Sequence, residues 1–273
     1  MMQAQSLPTP RDLDRLSALL HQQGQWLRGR QPGRAMADRS AMARCFDTAA
    51  EQASQALRAA LTAWWPDIPF ARTESDPRRP PGSRHGIFWL CDPIDGAVQY
   101  LCGLPMWTCA LTLVVDGAPR VAIIADPTGG HLYRAFAGHG AECGGERLTC
   151  GTGRDPSLAT LGTSFPNHPK RPQTDTDRFL SHLGRVIPHV FAQRWIGSAT
   201  LSLALVARGV LDGYWEVGGD ESDWLPGSLI AREAGALVTP LTAGTGILAA
   251  DPALHAQLAH TLRGSEPENP RSA

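Results

Sequence analysis

One stretch, residues 87–100 with the sequence IFWLCDPIDGAVQY, constrains the fold more than any other part of the chain. Residues 87–91 are all apolar, which predicts a buried strand. Pro93 predicts a turn directly after this strand. Asp92 and Asp95 therefore project from the end of a rigid strand, and two carboxylates are placed close together.

Two neighbouring carboxylates repel each other unless a cation lies between them. Mg²⁺ is commonly held in this way, by one or two carboxylates together with water and a substrate phosphate. Gly96 opens a predicted short helix, and the backbone N–H groups of Gly96 and Ala97 at its start suit a phosphate. The alternative is a capped turn.

The hexapeptide Asp92–Ala97 resembles the signature of the inositol monophosphatase family, Asp-Pro-Ile-Asp-Gly-Thr, and differs from it only at Ala97. Residues 223–235, DWLPGSLIAREAG, resemble the second signature of that family. Asp223 aligns there with an aspartate that binds metal. The alternative for Asp223 alone is that it caps a helix.

The resemblance implies an α/β fold, an αβαβα sandwich of the type shared by inositol monophosphatase and fructose-1,6-bisphosphatase. We expect an N-terminal α+β half over residues 1–150, with a helix pair, an antiparallel sheet and the first metal motif. A C-terminal α/β half with the second metal motif is expected over residues 151–264. Residues 265–273 are predicted to form a disordered tail.

Periodicity and turn residues divide the chain into helices and strands that agree with this expectation. Asp116-Gly117 predicts a hairpin between the first two of the strands that follow residue 100. The predicted helices are 10–32, 44–65, 175–186, 198–208, 223–236 and 252–263, and the predicted strands are 106–115, 120–126, 131–135, 159–164, 189–193, 211–217, 237–240 and 246–250.

The family resemblance also implies roles for individual residues at a site with two or three Mg²⁺ ions. Ser198 and Glu216 match positions that line the substrate pocket, although Glu216 could instead be an exposed glutamate at a strand end. The full set comprises catalytic Glu74, Asp92 and Asp95, metal ligands Glu74, Asp92, Ile94 (through its carbonyl), Asp95 and Asp223, phosphate-binding Gly96 and Ala97, and substrate-binding Ser198 and Glu216.

The chain departs from the family pattern at the positions that activate water. Ala97 replaces a threonine whose hydroxyl binds the attacking water. Aligned on Ser75, Glu74 matches the second of two family glutamates and Thr73 replaces the first, although a slip of one residue would restore the ligand. Ser222 stands where the second signature has tryptophan.

Three functions are therefore open. The first is a Mg²⁺-dependent phosphomonoesterase acting on a small polyol or sugar phosphate. The second is a catalytically weak or inactive family member that binds a phosphorylated ligand or a protein partner. The third is an enzyme for a different ester, such as an amino-alcohol or nucleotide phosphate. The resemblance further implies a homodimer.

Composition and motif spacing argue against several other classes of protein. A formal net charge of −1 gives no bulk attraction to nucleic acid or to a membrane, and we expect neither as a partner. The cysteines lack Cys-x-x-Cys spacing, and the glycine-rich residues 138–145 do not form a dinucleotide-binding pattern. Neither a signal-peptide pattern nor an apolar run of about 18 residues is visible, so we expect a cytoplasmic protein.

Overall fold

The computed structural model describes residues 7–33, 38–71, 86–165, 171–218, 221–241 and 246–263, without the side chains of residues 221 and 222. The predicted disordered tail, residues 265–273, lies outside the described residues. Thr73 and Glu74, which carry part of the predicted site, also lie outside them.

The first sheet contains seven strands of the described chain in sequence order, and every neighbouring pair is antiparallel except β1 with β2. The predicted hairpin is confirmed, because the β3–β4 turn has positive φ at Asp116 (49°) and Gly117 (81°), as tight hairpin turns require. The strands are β1 (Phe70–Ala71), β2 (Ile87–Asp95), β3 (Thr108–Val115), β4 (Ala118–Asp126), β5 (His131–Phe136), β6 (Ala141–Cys143) and β7 (Glu146–Arg147).

The second sheet has the order β11-β12-β10-β8-β9. Strands β8, β9 and β10 are parallel, whereas β12 is antiparallel to both of its neighbours. Strand β9 begins later than predicted because Pro188 lies in a 3₁₀ helix, Ile187–His189, that precedes it. The strands are β8 (Thr160–Ser164), β9 (Ala192–Trp195), β10 (Gly213–Val217), β11 (Leu237–Pro240) and β12 (Gly246–Ala250).

Three helices begin earlier than predicted, α4 by two residues at Gln173 and the other two as follows. Helix α2 begins at Arg39 because the Asp38 carboxylate accepts the N–H of Ala41 at 2.8 Å and caps its first turn. Helix α6 begins at Glu221, so Asp223 lies within the first turn and not at the cap. The helices are α1 (Leu13–Arg28), α2 (Arg39–Trp64), α3 (Ala97–Leu101), α4 (Gln173–Val186), α5 (Ala199–Ala207), α6 (Glu221–Glu233) and α7 (Pro252–Arg263).

Helices cover both faces of the first sheet. Leu16 of α1 and Leu57 of α2 belong to one buried cluster with Leu111 on one face of that sheet. On the opposite face, Ile124 belongs to a buried cluster with Ile230 of α6. The first sheet therefore lies between the α1–α2 layer and the α5–α6 layer.

The α5–α6 layer also covers the second sheet. Leu203 of α5 shares a buried cluster with Ile247 of β12. On the other face of that sheet, Leu248 clusters with Phe179 of α4 and Leu254 of α7. The resulting order is α1–α2, first sheet, α5–α6, second sheet, α4–α7, which confirms the predicted αβαβα sandwich.

Candidate functional site

Asp92 lies where the β2–β3 ladder becomes irregular. Regular pairing ends with Asp92 opposite Ala110 and resumes with Asp95 opposite Thr108. The Asp92 carboxylate accepts the backbone N–H of Ile94 at 3.1 Å. The turn predicted at Pro93 is therefore an irregularity within β2 that carries the strand on to Asp95. This local hydrogen bond is compatible with the alternative of a capped turn at Asp92.

Gly96 connects β2 to helix α3 in a conformation that few other residues adopt. Its φ is +95°, in the left-handed region. A Cβ atom at this position would lie 3.1 Å from the Trp107 Cβ and 3.2 Å from the Met106 carbonyl oxygen. Glycine is therefore needed here for both backbone conformation and space. Ala97, which follows it, is the first residue of α3 and is partly exposed.

Asp95 is held by a part of the chain distant in sequence. Its Oδ2 accepts a hydrogen bond from the Ser198 hydroxyl at 2.6 Å and another from the Thr200 N–H at 2.8 Å. Both donors lie at the N-terminus of α5, where the helix dipole also favours a negative charge. The Asp95 carboxylate thus joins the end of β2 to the start of α5.

Thr200 contacts both Asp95 and Asp223. While its N–H binds Asp95, its hydroxyl donates to the Asp223 carbonyl oxygen at 3.3 Å. Asp223 itself is partly exposed in the first turn of α6. Aspartates from the two sequence signatures are therefore linked through one threonine that sequence reasoning missed.

Glu216 is not an exposed glutamate at a strand end, so that alternative is wrong. Its side chain lies on β10 and the residue is only 2% exposed. The Tyr214 hydroxyl donates to Oε2 of Glu216, and Nη2 of Arg171 lies 3.9 Å from Oε1. Tyr214 was also missed, although a residue two positions before Glu216 on a strand must share its face.

The electrostatics of Glu216 follow from this enclosure. Burial raises the pKa of Glu216 to about 7, and the negative charge of Asp95 acts in the same direction. The Tyr214 hydroxyl and the Arg171 guanidinium oppose the rise in pKa. Glu216 therefore exchanges its proton near neutral pH, where it can act as either a donor or an acceptor of a hydrogen bond.

Ser198 occupies a different environment from the one expected for a residue that lines an open pocket. It is fully buried, its hydroxyl donates to Asp95, and its oxygen accepts the Leu201 N–H at 3.0 Å as the N-cap of α5. Ser198 therefore lies behind Asp95 and contacts it directly.

The structure brings Asp95, Ser198, Glu216 and the backbone of Asp223 into one region, with Asp92 on the same strand as Asp95. Within the described parts of the chain, no three His, Cys, Asp or Glu side chains are grouped closely enough to hold a metal ion. The carboxylate oxygens of this region nevertheless suit Mg²⁺ as ligands, because this cation needs only one or two carboxylates and completes its coordination with water. The predicted ligand set stays a prediction, and its member Glu74 lies outside the described residues.

The sequence model of the inositol monophosphatase family matches residues 28–266. The chain belongs to this family. Among solved structures, SuhB of Mycobacterium tuberculosis aligns with a TM-score of 0.77 and 29% identity, over 93% of this chain and 96% of that one. SuhB of Bartonella henselae aligns with a TM-score of 0.79 at 24% identity, over 94% of this chain and 100% of that one, which supports the fold alone.

Two curated relatives carry different names. "Nus factor SuhB" of Escherichia coli (strain K12) is 34% identical over 163 residues, which is 60% of this chain and 60% of the relative. "Inositol-1-monophosphatase SuhB" of M. tuberculosis (strain H37Rv) is 38% identical over 194 residues, 66% of this chain and 65% of the relative. The chain thus matches less than two thirds of the length of each of these curated relatives.

Two findings concern the predicted absence of nucleic acid and membrane partners. The expectation that no nucleic acid is a partner gains no support, because one relative is named as a Nus factor and not as an enzyme. In the described residues, no helix is both long enough and apolar enough to cross a membrane.

Proposed function

We propose that this chain is a Mg²⁺-dependent phosphomonoesterase that hydrolyses a small polyol or sugar phosphate. The observation that carries the proposal is the double contact of Thr200, which binds the Asp95 carboxylate with its N–H and the Asp223 carbonyl with its hydroxyl. Through it, the first signature of the family meets the second. Family membership supports the same reaction class.

The proposed metal ligands are Glu74, Asp92, Asp95, Asp223 and the carbonyl oxygen of Ile94, for two or three Mg²⁺ ions. Their oxygen atoms match the preference of this cation. When bound, Mg²⁺ polarises phosphate oxygens and makes a coordinated water more acidic.

The remaining roles belong to the protein itself. The backbone N–H groups of Gly96 and Ala97, where β2 turns into α3, are directed to the substrate phosphate in this proposal. Asp95 is kept in one orientation by its two hydrogen bonds from α5. In this proposal Glu216 contacts the substrate and can exchange a proton near neutral pH, while the buried Ser198 supports the Asp95 carboxylate.

Phosphate release from a panel of monoesters in the presence of Mg²⁺ tests this proposal. The panel includes inositol, sugar, amino-alcohol and nucleotide monophosphates, so it also tests the alternative of a different ester. We expect the double variant Asp92→Asn/Asp95→Asn to lose about 10³-fold in rate, because bound metal supplies several kcal/mol of charge stabilisation.

The control is Asp177→Asn, which removes an exposed carboxylate of α4 that, within the described residues, accepts a hydrogen bond from the nearby Gln173 amide. This variant should keep the wild-type rate. If no ester is hydrolysed faster by the wild type than by the double variant, the proposed activity is wrong.

A second candidate is a catalytically weak or inactive member that binds a phosphorylated ligand or a protein partner. Ala97 favours it, because this partly exposed first residue of α3 has no hydroxyl for an attacking water. The Nus factor name of one relative is compatible with such a role. Mg²⁺ binding without release of phosphate from any ester would support this candidate over the first.

We further propose that the chain folds as two halves, residues 1–150 and 151–264, and acts as a cytoplasmic homodimer. Strand β9 supports a dimer, because it forms an edge of the second sheet and carries the exposed Trp195, with the exposed Phe191 just before it. Light scattering coupled to gel filtration should give twice the monomer mass. A monomeric mass at micromolar concentration would contradict the dimer.

A further inference from the structure

The start of α5 contains a serine whose hydroxyl is used twice. Ser198 Oγ donates to the Asp95 carboxylate at 2.6 Å and accepts the Leu201 N–H at 3.0 Å. The first bond leaves the helix and reaches a residue 103 positions earlier in the chain. The second is an ordinary helix cap. A cap alone would need only the second bond.

The Thr200 N–H donates to the same Oδ2 atom of Asp95 at 2.8 Å. Two donors from one rigid helix restrain the Oδ2 atom from two directions, whereas a single donor would restrain it along one direction only. The helix itself cannot shift easily, because all its residues except Leu205 are buried. The start of α5 therefore supplies two hydrogen bonds that orient Asp95.

Asp92 provides the contrast. The hydrogen bond described for its carboxylate goes to Ile94, two residues further along the same segment. This described bond of Asp92 is local, whereas the two described bonds of Asp95 come from the other half of the fold. A change at the start of α5 should therefore disturb Asp95 directly, because it removes a hydrogen bond to that carboxylate.

We propose that Ser198 is a positioning residue that orients the Asp95 carboxylate for cation binding, in place of the substrate contact implied by family resemblance. This inference rests on the proposed function, in which Asp95 is a ligand of Mg²⁺. Residues that hydrogen-bond a metal ligand typically change metal affinity about 10–100-fold when they are removed. Loss of the Ser198 hydroxyl should therefore weaken Mg²⁺ binding.

The test is the dissociation constant for Mg²⁺, measured by calorimetry on the full chain of each variant, together with its thermal unfolding midpoint. We expect Ser198→Ala to raise this constant about tenfold or more. Ser198→Thr keeps both the hydroxyl and the cap and should restore the wild-type constant. Ser198→Gly is used if the alanine variant does not fold, because glycine is nearly as good an N-cap residue as serine.

Ser202→Ala is the matched control. Ser202 is also fully buried and lies one turn further along α5, and the hydrogen bond described for its hydroxyl goes to the Ser198 carbonyl at 2.6 Å and not to Asp95. This variant should lower the unfolding midpoint and leave the Mg²⁺ constant unchanged.

Two results would overturn the inference, and they are distinguishable. If the wild type binds Mg²⁺ and Ser198→Ala or Ser198→Gly binds it equally well, Ser198 is only a helix cap while the proposed function stands. If the wild type binds no Mg²⁺, the proposed metal site fails and the positioning role falls with it. A weakened constant in the alanine or glycine variant that threonine restores supports the inference.

Discussion

The α3 side and the α5 side of the site meet at Asp95 and are built in opposite ways. On the α3 side, several apolar side chains face solvent, with Val98 61%, Leu104 47% and Met106 40% exposed. On the α5 side, all helix residues except Leu205 are buried between the two sheets. Ala97, where this chain lacks the threonine of the first family signature, lies on the more exposed α3 side.

This difference teaches which changes the fold tolerates. An exposed side chain on the α3 side, such as that of Val98, can change with little effect on packing, because few atoms surround it. A change in α5 alters two interfaces at once, since the helix contacts both sheets through a close-packed interior. We therefore expect substitutions of exposed residues on the α3 side to alter activity with little loss of stability. Substitutions in α5 should mainly reduce the stability of the fold.

The largest effect should come from the centre of α5. Leu203 is fully buried and clusters with residues of the second sheet, so Leu203→Ala should lower the free energy of unfolding by about 2–5 kcal/mol. The control is Leu180→Ala on α4, where the side chain is 57% exposed and the change should stay within about 0.5 kcal/mol. Urea unfolding measures both, and equal losses would contradict the comparison.

The next effect concerns Glu216 and pH. Its folded pKa of about 7 lies above its ordinary value of 4.5, so the unfolded chain loses this proton first as the pH rises. Stability should therefore fall between about pH 4.5 and pH 7, by about 3 kcal/mol at 1.36 kcal/mol per pH unit, and change no further above that range.

Glu216→Gln removes the titrating group and should flatten this part of the stability curve, as measured by urea unfolding at a series of pH values. Glu51→Gln, on the exposed surface of α2, is the control and should keep the wild-type slope. An unchanged slope in the Glu216 variant would show that another group causes the pH dependence.

On the α3 side, Ala97→Thr should raise turnover with little change in stability. The new hydroxyl can position the attacking water, and groups that assist proton transfer contribute about 10² or more in rate. The measurement is kcat on the ester that the wild type hydrolyses fastest. Ala97→Val has the same shape without the hydroxyl, so an equal gain with valine would exclude the proposed cause.

The smallest effect should come from Gln99, which lies on α3 and reaches across to the other side. Its Nε2 donates to the Ile196 carbonyl at 2.7 Å, just before α5. Gln99→Ala should lower the free energy of unfolding by about 1 kcal/mol, a typical value for one hydrogen bond. Gln55→Ala, whose amide binds Glu51 on the surface of α2, should change it by less. A larger loss at Gln55 would contradict this assignment.

Much of the fold could be predicted from local patterns. Asp116-Gly117 identified the β3–β4 hairpin, and the apolar residues 199–207 identified a buried helix. The short strands β1, β6 and β7 were not predicted, and the other errors lay at boundaries, where local features such as caps decide where an element starts. Asp38 begins α2 earlier than its apolar stripe suggests, and the 3₁₀ turn at Pro188 delays β9.

The candidate site could be predicted only in part. The two signatures named Asp92, Asp95 and Asp223, but they did not identify Thr200 or Tyr214 as neighbours. A hydroxyl or an N–H that binds a carboxylate from another part of the chain leaves no periodic signal. Glu216 shows the same limit, since its burial depends on the packing of β10 between helix layers.

The sequence by itself determined most of the alternation of strands and helices, the family, and the start of a helix at Gly96, because these depend on neighbouring residues. Only the tertiary structure decided that Asp95 is held by the start of α5, that Ser198 is buried behind it, and that Glu216 is enclosed with Tyr214. The physical reason is that hydrogen bonds and burial depend on distance in space. Residues 103 positions apart meet at Asp95 only after both sheets have packed against the α5–α6 layer.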